Sequence, residues 1–112
     1  RAARGRMEAA KLRLEKLDLE KKNLELEIET EVKDVISEIN ATFERYVNAN
    51  KELELAKKLE EGEREKFKYG DSTLFLVNQR ERTRAEVEMK VVDILAEYKK
   101  SIVVIEAVKA NL

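Results

Sequence analysis

Apolar and small side chains recur along the first half of the chain at alternating intervals of four and three residues. The positions are Ile28, Val32, Val35, Ile39, Thr42, Tyr46, Ala49, Leu53 and Ala56. This spacing places the side chains in one stripe on a helix and is typical of a coiled-coil seam. Ile36, Phe43 and Val47 widen the stripe. Residues 7–68 are mainly strong helix formers, and we therefore predict one long helix over about that range.

The second half of the chain carries two apolar stripes and predicts a second helix over about 73–111. One stripe consists of Leu74, Val77, Val91, Leu95, Tyr98, Ile102 and Ile105, and the other of Ala85, Met89, Val92, Ala96, Val103, Ala107 and Ala110. A single partner helix cannot cover both stripes, so we expect neighbours on two sides, as in a wall of helices. The alternative is one broad stripe inside a four-helix dimer.

The two predicted helices meet at Gly70, which follows Tyr69 and precedes Asp71, Ser72 and Thr73. Glycine is the usual residue for a left-handed helix end, and the polar residues after it are typical N-caps. We expect a tight turn at about 69–72, with Asp71 or Ser72 as the cap of the second helix. The chain is thus predicted to be all-α, a single domain over 1–112 that forms a long antiparallel two-helix coiled-coil hairpin.

Two further features modify this hairpin. Gly62 lies inside the first predicted helix, where it should loosen a turn or admit a close neighbour. Glu81, Arg84 and Glu88 interrupt the first stripe of the second helix. We therefore expect the seam near the turn to be less tightly sealed than the far end, which would permit movement there.

Large apolar side chains surround the turn, although a hairpin tip without a partner should be polar. They are Phe67, Tyr69, Leu74, Phe75 and Leu76. Exposed apolar groups at a tip suggest a contact site for another molecule. The alternative is that Phe67 and Phe75 close the end of the hairpin against each other.

The amino-acid composition argues against catalysis and against metal or cofactor binding. The chain has 112 residues, no His and no Cys, and a net charge of -1, with 42% of its residues charged. The usual acid–base and nucleophilic groups are missing, and carboxylates on a solvated helix keep ordinary pKa values. We expect no enzymatic activity, no cofactor, no metal site and no nucleic-acid partner.

The charged residues are better explained as scaffold. Pairs in the favourable i, i+4 order are Glu29 with Lys33, Glu54 with Lys58, Glu60 with Arg64 and Glu86 with Lys90. Each such pair stabilises a helix by roughly 0.2–0.5 kcal/mol. Arg80, Arg82 and Arg84, with Lys68 nearby, form a basic cluster that acidic residues interrupt, which suggests a polar docking surface or an exposed helix face of mixed charge.

The run from Phe67 to Glu81, FKYGDSTLFLVNQRE, resembles the tip of an α-hairpin in TolC-type outer-membrane efflux proteins. Residues 49–66 and 85–112 are similar to the helices on either side of that tip, and residues 7–47 match more weakly, by composition. The chain begins with Arg1 instead of Met, and we expect it to be a fragment of a longer protein.

The resemblance implies a homotrimer whose hairpins form a long periplasmic tube below an outer-membrane barrel. In the family, hairpin tips meet the hairpin tips of a periplasmic adaptor, and an inner-membrane pump supplies the energy. This places Phe67, Tyr69, Gly70, Asp71, Ser72, Thr73 and Leu74 at the docking end. An acidic ring is in doubt, because Ser72, Leu76, Asn78 and Gln79 stand where many members carry charged residues. The alternatives are the hairpin of an adaptor protein and a purely structural coiled coil.

Overall fold

The computed structural model describes residues 1–111 and contains two helices, α1 (Ala2–Lys68) and α2 (Leu74–Ala110). The predicted all-α two-helix hairpin is confirmed. α1 begins earlier than the predicted start near residue 7. The chain divides into two units, Arg1–Val35 and Ile36–Leu112, where the sequence predicts a single domain.

α1 runs through Gly62 without a break, so the predicted loosened turn is wrong. Gly62 is exposed, and a Cβ added to it would meet no atom within 4 Å. Within the described residues of this chain, no neighbour approaches Gly62 closely. The helix continues because the strong helix formers on both sides of Gly62 offset the cost of one glycine, which is about 1 kcal/mol.

Within the unit Ile36–Leu112, the two helices pack antiparallel around a narrow apolar core. The core residues are Ala49, Leu53 and Ala56 from α1 and Val87, Val91 and Ile94 from α2, with Tyr46 packed against them. Among the described residues, four ion pairs cross between the helices: Arg45 with Glu97 at 3.0 Å, Glu52 with Lys90 at 3.1 Å, Glu60 with Arg84 at 2.7 Å, and Arg64 with Glu81 at 3.6 Å. The partner of Arg45 is Glu97, whereas the partner of Glu60, farther along α1, is Arg84, nearer the start of α2. The two helices therefore run antiparallel.

The seam residues of the unit Ile36–Leu112 lie on the side of each helix that faces its partner. Leu53, Val91 and Ile105 are buried, whereas Ile39, Tyr46, Leu95, Tyr98 and Ile102 are half-buried. Phe43 packs against Tyr98 with ring centroids 5.7 Å apart. Val87 and Ile94 are buried although neither belongs to the stripes described above. Val87, Val91, Ile94 and Tyr98 follow alternating intervals of four and three, which is the sequence signal that would have identified them.

The second stripe of α2, from Ala85 to Ala110, is exposed along its whole length. Met89 exposes 60% of its surface and Val103 exposes 63%. A single partner helix thus leaves the second stripe uncovered, which both the wall of helices and the four-helix dimer require.

The unit Arg1–Val35 is a single stretch of helix. Its residues 1–27 are all exposed, and Ile28, Val32 and Val35 are half-buried. An exposed i, i+4 ion pair joins Asp18 and Lys22 at 3.8 Å.

Candidate docking site at the hairpin tip

The turn is built by backbone hydrogen bonds that close α1 in a Schellman motif. The Asp71 N–H donates to the Lys66 carbonyl at 2.8 Å, and the Gly70 N–H donates to the Phe67 carbonyl at 3.1 Å. Gly70 has a φ of +79°, the left-handed conformation that this motif requires. Among the described residues, no atom would lie within 4 Å of a Cβ on Gly70, so a larger side chain would meet no steric clash. Glycine is favoured there only because other residues are strained at a positive φ.

Thr73 caps α2, and the expectation that Asp71 or Ser72 would do so is wrong. The Thr73 backbone is extended, and its Oγ1 accepts from the Leu76 N–H at 3.2 Å. The N-cap lies later in the sequence than expected because the backbone N–H groups of Gly70 and Asp71 belong to the Schellman motif that ends α1. The backbone needs one further extended residue before it can enter α2. A threonine cap contributes about 1 kcal/mol.

The hydroxyl of Ser72 is buried and has no hydrogen-bond partner among the described residues. Ser72 itself is half-buried in the turn, next to the cap. A buried hydroxyl without a hydrogen-bond partner costs free energy.

Apolar side chains project from this turn into solvent. Tyr69 exposes 77% of its surface, Phe75 exposes 74%, Leu74 exposes 58% and Phe67 exposes 45%. Phe75 is too exposed to close the end of the hairpin against Phe67, so that alternative is wrong. Val77, with 4% exposed, is the buried apolar side chain nearest the turn on α2.

A cluster of ion pairs lies behind the tip, where the first stripe is interrupted. Glu60 accepts from Arg64 at 2.9 Å and from Arg84 at 2.7 Å, and Arg84 also donates to Glu88 at 2.7 Å. Glu81 lies 3.6 Å from Arg64. Hydrogen bonds from Arg64 and then from Arg84 hold the pKa of the Glu60 carboxyl below its ordinary value. The carboxylates of Glu60 and Glu88 raise the pKa of the Arg84 guanidinium.

This cluster lies where the sequence predicts a less tightly sealed seam. Glu60 exposes only 9% of its surface and Glu63 only 8%, and Val87 beside them is buried. Glu60 and Arg84 occupy this part of the interface, because their long side chains reach across it and pair at 2.7 Å. The seam near the tip is therefore a polar part of the helix interface, with Glu60 and Glu63 buried in it.

The predicted i, i+4 pairs and the predicted basic cluster are only partly formed. Glu60 and Arg64 form the expected i, i+4 pair, but Glu54 lies nearest Lys57, at 3.7 Å, and Lys90 crosses to Glu52. Arg80 and Arg82 are exposed, whereas Arg84 belongs to the ion-pair cluster.

Among the described residues, no group of three or more Asp, Glu, His or Cys side chains is placed to hold a metal ion. Neither described helix is both long and apolar enough to cross a bilayer. The candidate site consists of the hydrogen-bonded turn and its exposed apolar side chains.

No protein-family model, no curated protein and no solved structure matches the chain. The geometry of the hairpin and the sequence of its tip are therefore the basis of a functional proposal.

Proposed function

We propose that this chain is the periplasmic helical hairpin of a trimeric outer-membrane efflux channel. In this role it forms part of the conduit wall and docks by its tip to the hairpin tips of a periplasmic adaptor, which links it to an inner-membrane pump. The hairpin has no catalytic part in transport, and substrate crosses the conduit by diffusion.

The observation that carries the proposal is the exposure of large apolar side chains around a rigid turn. Tyr69, Leu74 and Phe75 are each more than half exposed, next to a Schellman motif and a threonine cap that hold the backbone. Aromatic side chains at fixed positions contribute large contact area to an interface at low entropic cost. The resemblance of residues 67–81 to efflux-protein tips supports an adaptor as the partner.

The exposed second stripe of α2 supports the role in a wall. Met89, Val92 and Val103 each expose more than half of their surface on the side away from α1. An apolar stripe along a helix is typical of a surface that packs against another helix. In a channel wall, the adjacent hairpin would cover this stripe.

Site-specific crosslinking in the bacterial protein that contains this hairpin tests the proposal. The described chain has no Cys, so a single Phe75→Cys change carries a photo-crosslinker at the tip without a competing thiol. Glu86→Cys is the matched control, because Glu86 is exposed on the same helix about 16 Å farther along its axis. We expect the Phe75 position to crosslink to an adaptor hairpin and the Glu86 position not to do so.

Two other outcomes would contradict the proposal. A crosslink from Phe75 to the tip of an outer-membrane channel would identify the chain as the adaptor hairpin. A Phe75→Asp variant of the full protein that exports a fluorescent efflux substrate at the normal rate would show that the tip does not dock, as in a purely structural coiled coil.

A further inference from the structure

A shallow groove lies on the outer side of α1, within the unit Ile36–Leu112. Its volume is about 460 Å³. The lining residues are Val47, Asn50, Lys51, Glu54, Leu55 and Lys58. Lys51 lies midway in sequence between the core residues Ala49 and Leu53, so the turn of the helix directs it away from α2. The groove is therefore open to a second molecule, and we call it the α1 groove.

The second stripe of α2 lies on the other edge of the hairpin. Met89 is midway in sequence between the core residues Val87 and Val91, and it exposes 60% of its surface. The α1 groove and the second stripe are different surfaces on the two edges of one hairpin. A contact between them is heterologous and repeats from one copy to the next, as a closed ring of copies requires.

Charged residues follow both surfaces at intervals of seven residues. They are Glu44, Lys51 and Lys58 on α1, and Glu86, Asp93 and Lys100 on α2. Each of the three on α2 comes three residues before a member of the second stripe and therefore lies beside it on the helix surface. All six are exposed, and none of them is in an ion pair with another described residue.

The ion pairs inside the hairpin show which residues of the two helices lie at the same height. The level pairs are Arg45 with Glu97, Glu52 with Lys90, and Glu60 with Arg84. When a second copy stands beside the first with its tip at the same end, the same heights apply between α2 of one copy and α1 of the other. Opposite charges then lie side by side, within about 3 Å of height. These pairs are Glu44 with Lys100, Lys51 with Asp93, and Lys58 with Glu86.

Among arrangements with both tips at one end, the charges select this register. A shift by one heptad sets Lys51 beside Lys100 in one direction, or Glu44 beside Asp93 in the other. Either shift leaves a single attractive pair and adds a repulsive one. Like charges side by side at an interface are destabilising, so the level arrangement is favoured over both shifts.

The apolar side chains match at the same register. The α1 groove extends from Val47 to Lys58, and Met89, Val92 and Ala96 of the second stripe lie at that height. Met89 and Val92 each expose more than half of their surface in the single chain. Their burial in the groove would supply affinity, while the charge pairs set the register.

We infer that the second stripe of α2 packs into the α1 groove of a second copy of this chain, with both tips at the same end. The inference deepens the proposed channel wall and rests on it for the common direction of the hairpins. It also distinguishes the wall from a symmetric four-helix dimer, in which the second stripe of one copy would meet the second stripe of the other.

Disulfide crosslinking in the bacterial protein that contains this hairpin tests the contact. The described chain has no Cys, and Val47→Cys/Ala96→Cys places one thiol in the α1 groove and one on the second stripe, at nearly the same height. Mild oxidation should link the chains into covalent dimers and trimers on a denaturing gel without reductant. Val47→Cys/Ala110→Cys is the matched control, because its second thiol lies about 21 Å farther along α2, and its chains should stay single.

Charge reversal tests the register. Lys51→Glu/Lys58→Glu, added to the double-cysteine chain, should slow disulfide formation about tenfold, since it turns two attractive pairs into repulsive ones. Adding Glu86→Lys/Asp93→Lys to that same chain should restore the original rate, because the two surfaces then exchange their charges. A variant that merely damaged the fold would not be restored in this way.

A control for the charge variants lies on another side of α1. Glu38→Lys/Lys66→Glu changes two exposed charges that are in line with Arg45 and Glu52, away from the α1 groove. This variant should form the disulfide at the original rate. An equal loss of rate in this control would show that charge changes act without regard to position and would contradict the register.

Three other results would overturn the inference. The single variant Ala96→Cys linking to itself would show that stripe meets stripe, and the other two are no link from Val47→Cys/Ala96→Cys and no restoration by the second pair of charge changes. The Phe75 crosslink is a separate result. If Phe75 crosslinks to an adaptor but the chains do not link at Val47 and Ala96, the inference fails and the proposed function stands; if neither link forms, both fail.

Discussion

At the scale of single residues, the two glycines of the hairpin have opposite roles although both are open to solvent. Gly70 ends α1 in a left-handed conformation at φ +79°, whereas Gly62 lies inside α1 with helical neighbours on both sides. No atom would contact an added Cβ at either position. The difference between them is therefore one of backbone conformation alone.

The same substitution should change the stability of the hairpin in opposite directions at these two positions. Gly62→Ala should raise the free energy of unfolding by about 0.8–1 kcal/mol, because alanine has the higher helix propensity. Gly70→Ala should lower it by about 1–2 kcal/mol, because a Cβ is strained in the left-handed region. Urea unfolding followed by circular dichroism measures both, with Gly70→Asn as the milder control. A stabilising Gly70→Ala would contradict the role of the turn.

The cap of α2 shows where residue patterns are ambiguous. Asp71, Ser72 and Thr73 all have side chains that can cap a helix, and the sequence does not distinguish them. Only the path of the backbone does so, because the Schellman motif uses the Asp71 N–H and leaves Thr73 as the last extended residue.

At the scale of the helices, stability depends on which face of α2 meets α1. Ile94 exposes 4% of its surface in the core, whereas Val92 exposes 54% on the uncovered stripe. Both residues are β-branched and lie within one turn of each other. Their different environments result from the direction in which each side chain points.

Truncation of these two residues should therefore have very different effects. Ile94→Ala should lower the free energy of unfolding by about 2–5 kcal/mol, because it removes buried apolar atoms and leaves a cavity. Val92→Ala should change it by about 0.5 kcal/mol or less in the isolated chain, since its side chain is solvated. Chemical denaturation of the two variants checks the assignment, and comparable losses would show that α2 is rotated about its axis.

The seam could be predicted more completely on α1 than on α2. On α1 the positions from Ile39 to Ala56 follow one unbroken heptad pattern, and all of them are buried or half-buried. On α2 two overlapping apolar stripes compete, and the charged residues near the turn interrupt one of them. The hydrophobic pattern therefore did not identify Ile94 as a core residue. It also treated Arg84 as an interruption of the seam, although Arg84 lies in the helix interface.

At the scale of the whole molecule, the ion-pair cluster links the pairing of the helices to pH. Glu60 is faced by Arg64 on its own helix and by Arg84 on α2, while Glu81 and Glu88 pair with those two arginines. The arginines stay charged over the accessible range, so Glu60 is the group whose titration changes the balance.

Stability should fall in acid because of this carboxylate. The folded-state pKa of Glu60 is lowered from its ordinary value of 4.5. Its contribution is therefore present above pH 4.5 and is lost as the pH falls through the folded-state pKa. Thermal unfolding of wild type and Glu60→Gln should differ most near neutral pH, and the difference should shrink below pH 4.5. A constant difference across that range would exclude the linkage, and Glu65→Gln, at an exposed carboxylate on α1, is the control.

The sequence by itself determined the helical class, the position of the turn and the seam of α1. These features depend on helix propensity, on glycine conformation and on a repeat of apolar positions, all of which act over a few neighbouring residues. The tertiary structure decided the cap at Thr73, the burial of Ile94 and the pairing of Glu60 with Arg84. These depend on how α1 and α2 are placed against each other, and a charged side chain becomes part of an interface only when the opposite helix brings its partner within reach.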